Sequence, residues 1–111
     1  LKHGEQPFQI GQYVIIFNGE IYNHLELRKE LNDHTFKTNS DTETLLALYI
    51  KFGASALDMC DGMFAFVIFN KDKNALILAR DRTGKKPLYL YRKANKAFFA
   101  SELNTLLHSL L

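Results

Sequence analysis

Two stretches of this chain, residues 13–17 and 63–69, are almost entirely apolar and rich in aromatic and β-branched side chains. Such side chains favour β-strands. A strand with one solvated face alternates apolar and polar residues, and neither stretch does so. The sequence therefore predicts strands that are buried on both faces, which requires packed layers on both sides of the sheet. We predict an α+β fold in which stacked sheets are flanked by helices.

The overall composition fits one domain and excludes several kinds of protein. The chain has 111 residues, of which 47% are hydrophobic, and its formal net charge is +2. So small a basic excess does not predict a nucleic-acid or membrane partner. No apolar run approaches the roughly 18 residues that a membrane-spanning helix needs. Because a single cysteine excludes an intrachain disulfide, we expect a reducing, cytoplasmic setting.

Capping signals predict where the helices begin and end. Asn23 with Glu26, and more clearly Ser40 with Glu43, have the spacing of a capping box. Behind the second pair, apolar residues repeat with the helical period, and Gly53 is placed to end the helix. The residues of this stripe are Leu45, Leu48, Tyr49 and Phe52.

Shorter apolar or β-branched runs predict further strands. The polar turn at residues 70–74 joins the strand at 63–69 to another at 75–79, which predicts a β-hairpin. We predict that the first strand ends at Asn18–Gly19, because both residues tolerate unusual backbone angles. The other predicted elements are strands at 35–38, 88–91 and 97–100, and a helical stripe from Leu103 to Leu110.

Asn18, Gly19 and Glu20 follow the first buried strand and form the first candidate site. An asparagine amide and a glycine N–H can donate together to a developing oxyanion, and a carboxylate can accept from a substrate ammonium. From spacing alone, Asn-Gly is more often a turn. Asp41 is open to two readings in the same way, because it either stabilises the first turn of a helix or binds a ligand.

Three further groups are weaker candidates. The loop from Arg80 to Lys86 can bind an anion, but such runs are more often solvated, and the spacing of a P-loop is absent. Cys60 lies beside a core strand, where cysteine usually behaves as a small hydrophobe. The histidines show no spacing suited to a metal, and we place His24 at a helix start and His34 in a loop. The sequence therefore predicts no metal site.

Five segments in consistent order resemble the class II glutamine amidotransferases, and within them the asparagine synthetases. SDTE is shared widely in that class, whereas FNGEIYN, RDRTGKKPLY and FASEL together point to the asparagine-synthetase branch. The similarity covers nearly the whole chain. The segments are FNGEIYN at 17–23, SDTE at 40–43, GMFAFVIF at 62–69, ARDRTGKKPLY at 79–89 and FASEL at 99–103.

The resemblance implies an N-terminal-nucleophile hydrolase fold, a four-layer αββα sandwich, and the hydrolysis of L-glutamine. In that chemistry an N-terminal cysteine thiolate attacks the side-chain amide, and its own α-amino group acts as the base. The thioester that forms is hydrolysed to glutamate. The released ammonia passes to a synthetase domain, which uses ATP and Mg²⁺ to amidate aspartate. The amidotransferase domain itself needs no cofactor.

By matching position, the resemblance assigns Asn18 and Gly19 to the oxyanion hole. It assigns Glu20 and Asp41 to the α-amino group of glutamine, and it gives Cys60 and the loop from Arg80 to Lys86 no catalytic role. These roles replace the turn and helix-start readings given above. They require the end of the first strand and the start of the helix after Ser40 to share one cavity.

The chain begins at Leu1 rather than at the cysteine nucleophile of the family. We therefore expect residues 1–111 to be a partial amidotransferase domain. It would lack its N-terminal strands, the arginine that grips the substrate carboxylate, and the synthetase domain. We expect this chain alone to release no glutamate from glutamine. Loss of strands should bare a sheet edge and an apolar face, which we expect a second copy of the chain to cover.

Two alternatives stay open at this stage. The first is an amidotransferase domain that serves another acceptor, such as a sugar or a peptide-like precursor. The second is a degenerate, non-catalytic domain that serves as an interaction or regulatory module. A neighbouring domain would decide the first question, and an N-terminal cysteine in the parent reading frame would decide the second.

Overall fold

The computed structural model describes residues 7–81 and 88–92, with the backbone alone for the second range. These residues contain one antiparallel sheet whose five strands lie in chain order, each hydrogen-bonded to the next. The two longest strands, each of nine residues, lie next to each other near its centre. The strands are β1 (Phe8–Ile10), β2 (Tyr13–Ile21), β3 (Gly62–Asn70), β4 (Ala75–Asp81) and β5 (Leu88–Arg92).

Helices connect β2 to β3 and pack against one face of the sheet. The longest helix begins after Ser40, whose Oγ accepts a hydrogen bond from the N–H of Glu43 at 3.3 Å, and it ends at Gly53, whose φ is 65°. Both ends confirm the predictions made from capping signals. The helical elements are α1 (His24–Leu27), a 3₁₀ turn (Arg28–Glu30), α2 (Asp41–Phe52), a second 3₁₀ turn (Gly53–Ser55) and α3 (Ala56–Met59).

The core lies between α2 and the central strands. Phe17 of β2 pairs with Phe66 of β3, and both side chains pack in one cluster with Leu45 of α2. On the opposite face of the sheet, Ile16 and Val67 are also buried. The prediction of strands buried on both faces is therefore confirmed. Each fully buried side chain of this size stabilises the fold by about 1.5–3 kcal/mol relative to its exposed form, so these strands anchor the structure.

The first strand continues beyond the end that the sequence predicted. Asn18 and Gly19 are not a turn: they pair with Ala65 and Phe64, and β2 runs on to Ile21. The reason is that β3 offers a partner at every position from Asn70 to Gly62, and Gly19 allows the two backbones to approach closely. Glycine inside a strand commonly marks such an approach.

One other local prediction was wrong, and a second was confirmed only for the position of a helix start. The predicted strand at 35–38 does not form, because the N–H groups of Lys37 and Thr38 donate to the carboxylate of Glu43. Helix α1 begins directly after Asn23, as predicted, but Asn23 does not cap it with its side chain. Its amide bridges to the α3–β3 connection instead, donating to the carbonyl of Met59 and accepting from the N–H of Asp61. At residues 37 and 38 the replacing contact comes from the first turn of α2, and at Asn23 it comes from residues that lie 36 and 38 positions further along the chain.

The predicted hairpin forms between β3 and β4. The side-chain oxygen of Asn70 accepts from the N–H groups of Asp72 and Lys73, and Asn74 has a φ of 50°. Strand β5 covers the run predicted at 88–91, and Arg80 belongs to β4 rather than to a loop. The rest of the charged loop, the strand predicted at 97–100 and the stripe from Leu103 to Leu110 lie outside the described residues.

The α+β class is confirmed, whereas residues 7–81 and 88–92 contribute one sheet and no second one. The edge strand β1 is three residues long. We expected a bare apolar sheet face, but β2, β3 and β4 do not show one in the part that the structure describes. Of the large apolar side chains in these described strands, that of Met63 is exposed. Among the described residues, none of the helices is long and apolar enough to cross a membrane.

Two buried threonines of α2 offer a matched test of this packing. Thr44 Oγ1 accepts from Arg28 Nε at 2.8 Å, whereas the hydroxyl of Thr42 is buried without a hydrogen-bond partner. An unpaired buried hydroxyl costs stability, and a lost bond to a charged group leaves that group unsatisfied. We therefore expect Thr42→Val to raise the free energy of unfolding in urea, and Thr44→Val to lower it, by about 1 kcal/mol each. Equal losses in both variants would contradict this account.

Candidate functional site

A hollow of about 360 Å³ lies where the end of β2 meets the start of α2. Its wall comes from three short segments: the last residues of β2 with the turn after it, the first residue of α1, and the approach to α2. Such a volume falls within the usual range for small-molecule sites, about 300–1,000 Å³. The lining residues are Glu20, Ile21, Tyr22, His24, Asn39, Ser40 and Asp41.

Asp41 joins the helix to the strand at this hollow. Its Oδ2 accepts a hydrogen bond from the N–H of Ile21 at 2.9 Å, and its side chain is buried. Strand β1 pairs with β2 only as far as Ile15. The Asp41 carboxylate therefore accepts from β2 along the edge that β1 no longer covers. Glu20, the residue before Ile21, is exposed and lines the same hollow. Two acidic residues therefore line one small space.

Asn18 and Gly19 lie on β2 just before these residues and are not part of the lining. The side chain of Asn18 is exposed. Gly19 has a φ of 127°, and a Cβ atom there would overlap the carbonyl oxygen of Met63. Only glycine meets both conditions without strain. A Cβ atom at Gly62 would likewise overlap the carbonyl oxygen of Glu20, so two glycines set the spacing of β2 and β3 beside the hollow.

His24 lines the hollow, and its Nδ1 lies 3.4 Å from Thr44 Oγ1. Burial lowers the pKa of the His24 imidazole, the Asp41 carboxylate opposes that change, and the Arg28 guanidinium adds to it. A histidine whose pKa lies below its ordinary value of about 6.5 is neutral at pH 7. The hollow is thus lined by two acidic residues and a neutral ring, a combination that suits a cationic group such as an ammonium.

The approach to α2 is held by Glu43, whose side chain is 1% exposed. Its carboxylate accepts from the N–H of Lys37 at 2.9 Å, from the N–H of Thr38 at 2.7 Å and from His34 Nε2 at 2.8 Å. Burial alone would raise the pKa of the Glu43 carboxyl. The bonds from Lys37, His34 and Thr38 outweigh burial and hold that pKa below its ordinary value, so Glu43 is ionised at neutral pH.

Arg28 braces the same region from the other side. Its guanidinium donates to the carbonyl of Ser40 at 2.9 Å and lies 3.9 Å from the centre of the Phe36 ring. Burial lowers the pKa of Arg28, and the Glu43 carboxylate opposes this. A guanidinium that stacks on a ring while it donates to a carbonyl is fixed in orientation. The first turn of α2 is therefore held by charged groups on both sides.

The weaker candidates take other places. Cys60 is fully buried, and its Sγ donates to the carbonyl of Ala56 at 3.3 Å, as expected of a core cysteine. In the part of the chain that the structure describes, no group of three or more histidine, cysteine or acidic side chains could hold a metal ion. Residues 82–86 of the charged loop lie outside that part.

Comparison with known sequences identifies the family. The sequence profile described as a glutamine amidotransferase domain matches residues 1–111. The chain belongs to this family.

Similar proteins place the amidotransferase domain near one branch of the family. It is 44% identical over 108 residues to glutamine-hydrolyzing asparagine synthetase 2 of Bacillus subtilis. The aligned region covers 96% of this chain and 14% of that protein. It is 47% identical over 111 residues to synthetase 1 of the same organism, covering 96% of this chain and 18% of that protein. A putative asparagine synthetase of Methanocaldococcus jannaschii is 46% identical over 94 residues, 85% of this chain. The chain therefore spans less than a fifth of the length of these relatives.

Of the four residues predicted for the site, the amidotransferase domain brings Glu20 and Asp41 to one hollow and places Asn18 and Gly19 just upstream on β2. Their roles toward glutamine stay predictions. Sequence reasoning did not select Tyr22, His24 and Asn39, which also line the hollow. Their signal was position: the first lies inside the segment FNGEIYN, and the other two flank that segment and SDTE.

Proposed function

We propose that this domain binds L-glutamine in the hollow between β2 and α2 and releases ammonia from its side-chain amide. The observation that carries the proposal is the convergence of Glu20 and Asp41 on one space in a glutamine amidotransferase domain. Both carboxylates would accept from the α-ammonium group of the substrate. Because His24 is held neutral, no positive charge from its ring repels that ammonium.

The amide of Asn18 and the N–H of Gly19 would stabilise the oxyanion that forms when the glutamine amide is attacked. Two features support this role. Asn18 is exposed, and beyond Ile15 strand β1 no longer pairs with β2. The nucleophile would be the N-terminal cysteine that the family resemblance implies. Cys60 does not suit the task, because its sulfur is buried in the core and bonded to a backbone carbonyl.

We further place the domain in a longer protein, an asparagine synthetase, since the chain matches less than a fifth of relatives that carry this name. A synthetase domain that uses ATP and Mg²⁺ would consume the ammonia and amidate aspartate. The described sheet and its covering helices would then be one half of an αββα sandwich. The burial of both faces of β2 and β3 supports that arrangement.

The test uses the full-length protein that contains these residues, with glutamine or ammonium as the nitrogen donor. Glu20→Gln keeps the size of the side chain and removes its charge. We expect it to raise the KM for glutamine about tenfold, since a charge-assisted hydrogen bond is lost, and to leave ammonium-dependent product formation unchanged. Glu30→Gln, at an exposed glutamate of the first 3₁₀ turn, is the matched control and should change neither activity.

Three outcomes would contradict the proposal. The first is a protein that forms no glutamate from glutamine. The second is a Glu20→Gln variant in which product formation falls equally with glutamine and with ammonium, since the carboxylate would then act outside the glutamine site. Amide formation on an acceptor other than aspartate would leave the glutamine site in place and reject the synthetase assignment.

A further inference from the structure

The buried carboxylate of Glu43 lies in the first turn of α2 and binds the residues that precede the helix. In a capping box the glutamate side chain reaches back to the backbone N–H of the N-cap residue. Here that N–H, on Ser40, donates instead to Thr38 Oγ1 at 3.2 Å. The Glu43 carboxylate accepts from Thr38 Oγ1 at 2.8 Å and from the N–H groups of Lys37 and Thr38. The carboxylate therefore orders the segment before the helix.

The same hydrogen bonds also fix the residues that form one wall of the hollow. Thr38 Oγ1 lies 2.8 Å from Ser40 Oγ, which accepts from the N–H of Glu43 and so closes a ring of hydrogen bonds. The next residues along the chain, Asn39, Ser40 and Asp41, all line the hollow. Asp41 in turn accepts from the N–H of Ile21, so the position of that bond depends on where α2 begins.

We infer that Glu43 is a positioning residue of the glutamine site: by holding residues 37–40, it sets where Asp41 stands in the hollow. Glu43 lines no part of the hollow and would touch no substrate. This inference rests on the proposed function, because it assumes that glutamine binds at Asp41. The chemistry is specific to a carboxylate, since both of its oxygens accept from Lys37, Thr38 or His34.

The variant Glu43→Gln tests the inference with little change in volume. One of the two oxygens becomes an N–H₂ group, which would point a donor at the N–H of Lys37 or Thr38. Thr38→Val is a milder second variant, which removes one hydroxyl from the ring and leaves the carboxylate in place. Glu30→Gln, at an exposed glutamate, is the matched control.

Two measurements on the full-length protein separate positioning from substrate binding. Amide hydrogen exchange at Ile21 reports whether Asp41 is in place, and it needs no ligand. We expect exchange at Ile21 to become about tenfold faster in Glu43→Gln, as expected for loss of charge-assisted bonds, while amides in the middle of β3 keep their wild-type rates. The KM for glutamine should rise by a similar factor, and ammonium-dependent turnover should stay unchanged. Thr38→Val should change the exchange rate at Ile21 and the KM for glutamine in the same direction, but by smaller factors.

The outcomes are distinguishable from those that bear on the proposed function. Suppose that Glu43→Gln speeds exchange at Ile21 but the wild-type protein does not use glutamine. This result would support the inference that Glu43 positions Asp41, and it would reject the glutamine site. Faster exchange at residues 37 and 38 alone, with unchanged exchange at Ile21 and an unchanged KM, would overturn the inference. Uniformly faster exchange across β3 as well would assign Glu43 to general stability and overturn it too.

Discussion

Replacing Gly19 with alanine is expected to lower the free energy of unfolding by about 4 kcal/mol, through a strained φ and an overpacked contact. Gly19 has a φ of 127°, which a residue with a Cβ atom rarely adopts, and the new atom would overlap the backbone of Met63. A backbone cannot move aside as a flexible side chain can, so β2 and β3 would have to separate. Urea denaturation of the purified chain measures the change.

Gly11→Ala is the control for this prediction. Gly11 also has a positive φ, 57°, but no atom lies within 4 Å of its missing Cβ. That substitution should cost only the backbone strain, about 1 kcal/mol. If both alanine variants lost the same stability, the close approach of β2 and β3 at Gly19 would not be the cause, and the account of the continued strand would be wrong.

The second large effect is expected at Asp41. Asp41→Asn keeps an oxygen that can accept from the N–H of Ile21, so the fold should persist, but it removes the buried charge from the hollow. If Asp41 binds the α-ammonium of glutamine, the KM for glutamine should rise about a hundredfold, which corresponds to the loss of one strong charge-assisted bond. Ammonium-dependent product formation by the full-length protein should be unchanged.

Asp58→Asn, at an exposed aspartate of α3, should leave both activities unchanged and serves as the control. Thermal unfolding of Asp41→Asn should be measured in parallel, because this aspartate also joins α2 to β2. An unchanged KM in a folded Asp41→Asn variant would remove Asp41 from the proposed substrate site, whatever the behaviour of Glu20.

The local signals in the sequence predicted most of the elements. Residues 13–17 and 63–69 are strands, Ser40 caps α2, and Gly53 ends it. These signals work because they depend on neighbouring residues: a pattern of side chains along the chain, or one hydroxyl near one N–H. The helix is buried more completely than its apolar stripe indicated, since every residue from Asp41 to Leu48 is buried.

The candidate site could be predicted only through the family resemblance. Nothing in the spacing of residues 18–20 and 41 indicates that they meet, because the N–H of Ile21 and its acceptor, Asp41, are 20 positions apart in the chain. The resemblance selected Glu20 and Asp41, and the structure places both at one hollow. It could not select His24 or Glu43, whose environments depend on groups from other elements.

The amino-acid sequence by itself determined that the chain folds as an α+β domain with strands buried on both faces, and where its main helix begins and ends. Only the tertiary structure decided that β2 continues through Asn18–Gly19, that Glu43 binds the residues before the helix instead of completing a capping box, and that Asp41 reaches β2. The physical reason is that a buried carboxylate or strand edge must be satisfied by whichever groups packing brings to it. Those groups belong to other elements, which lie a few positions away for Glu43 and 20 positions away for Asp41.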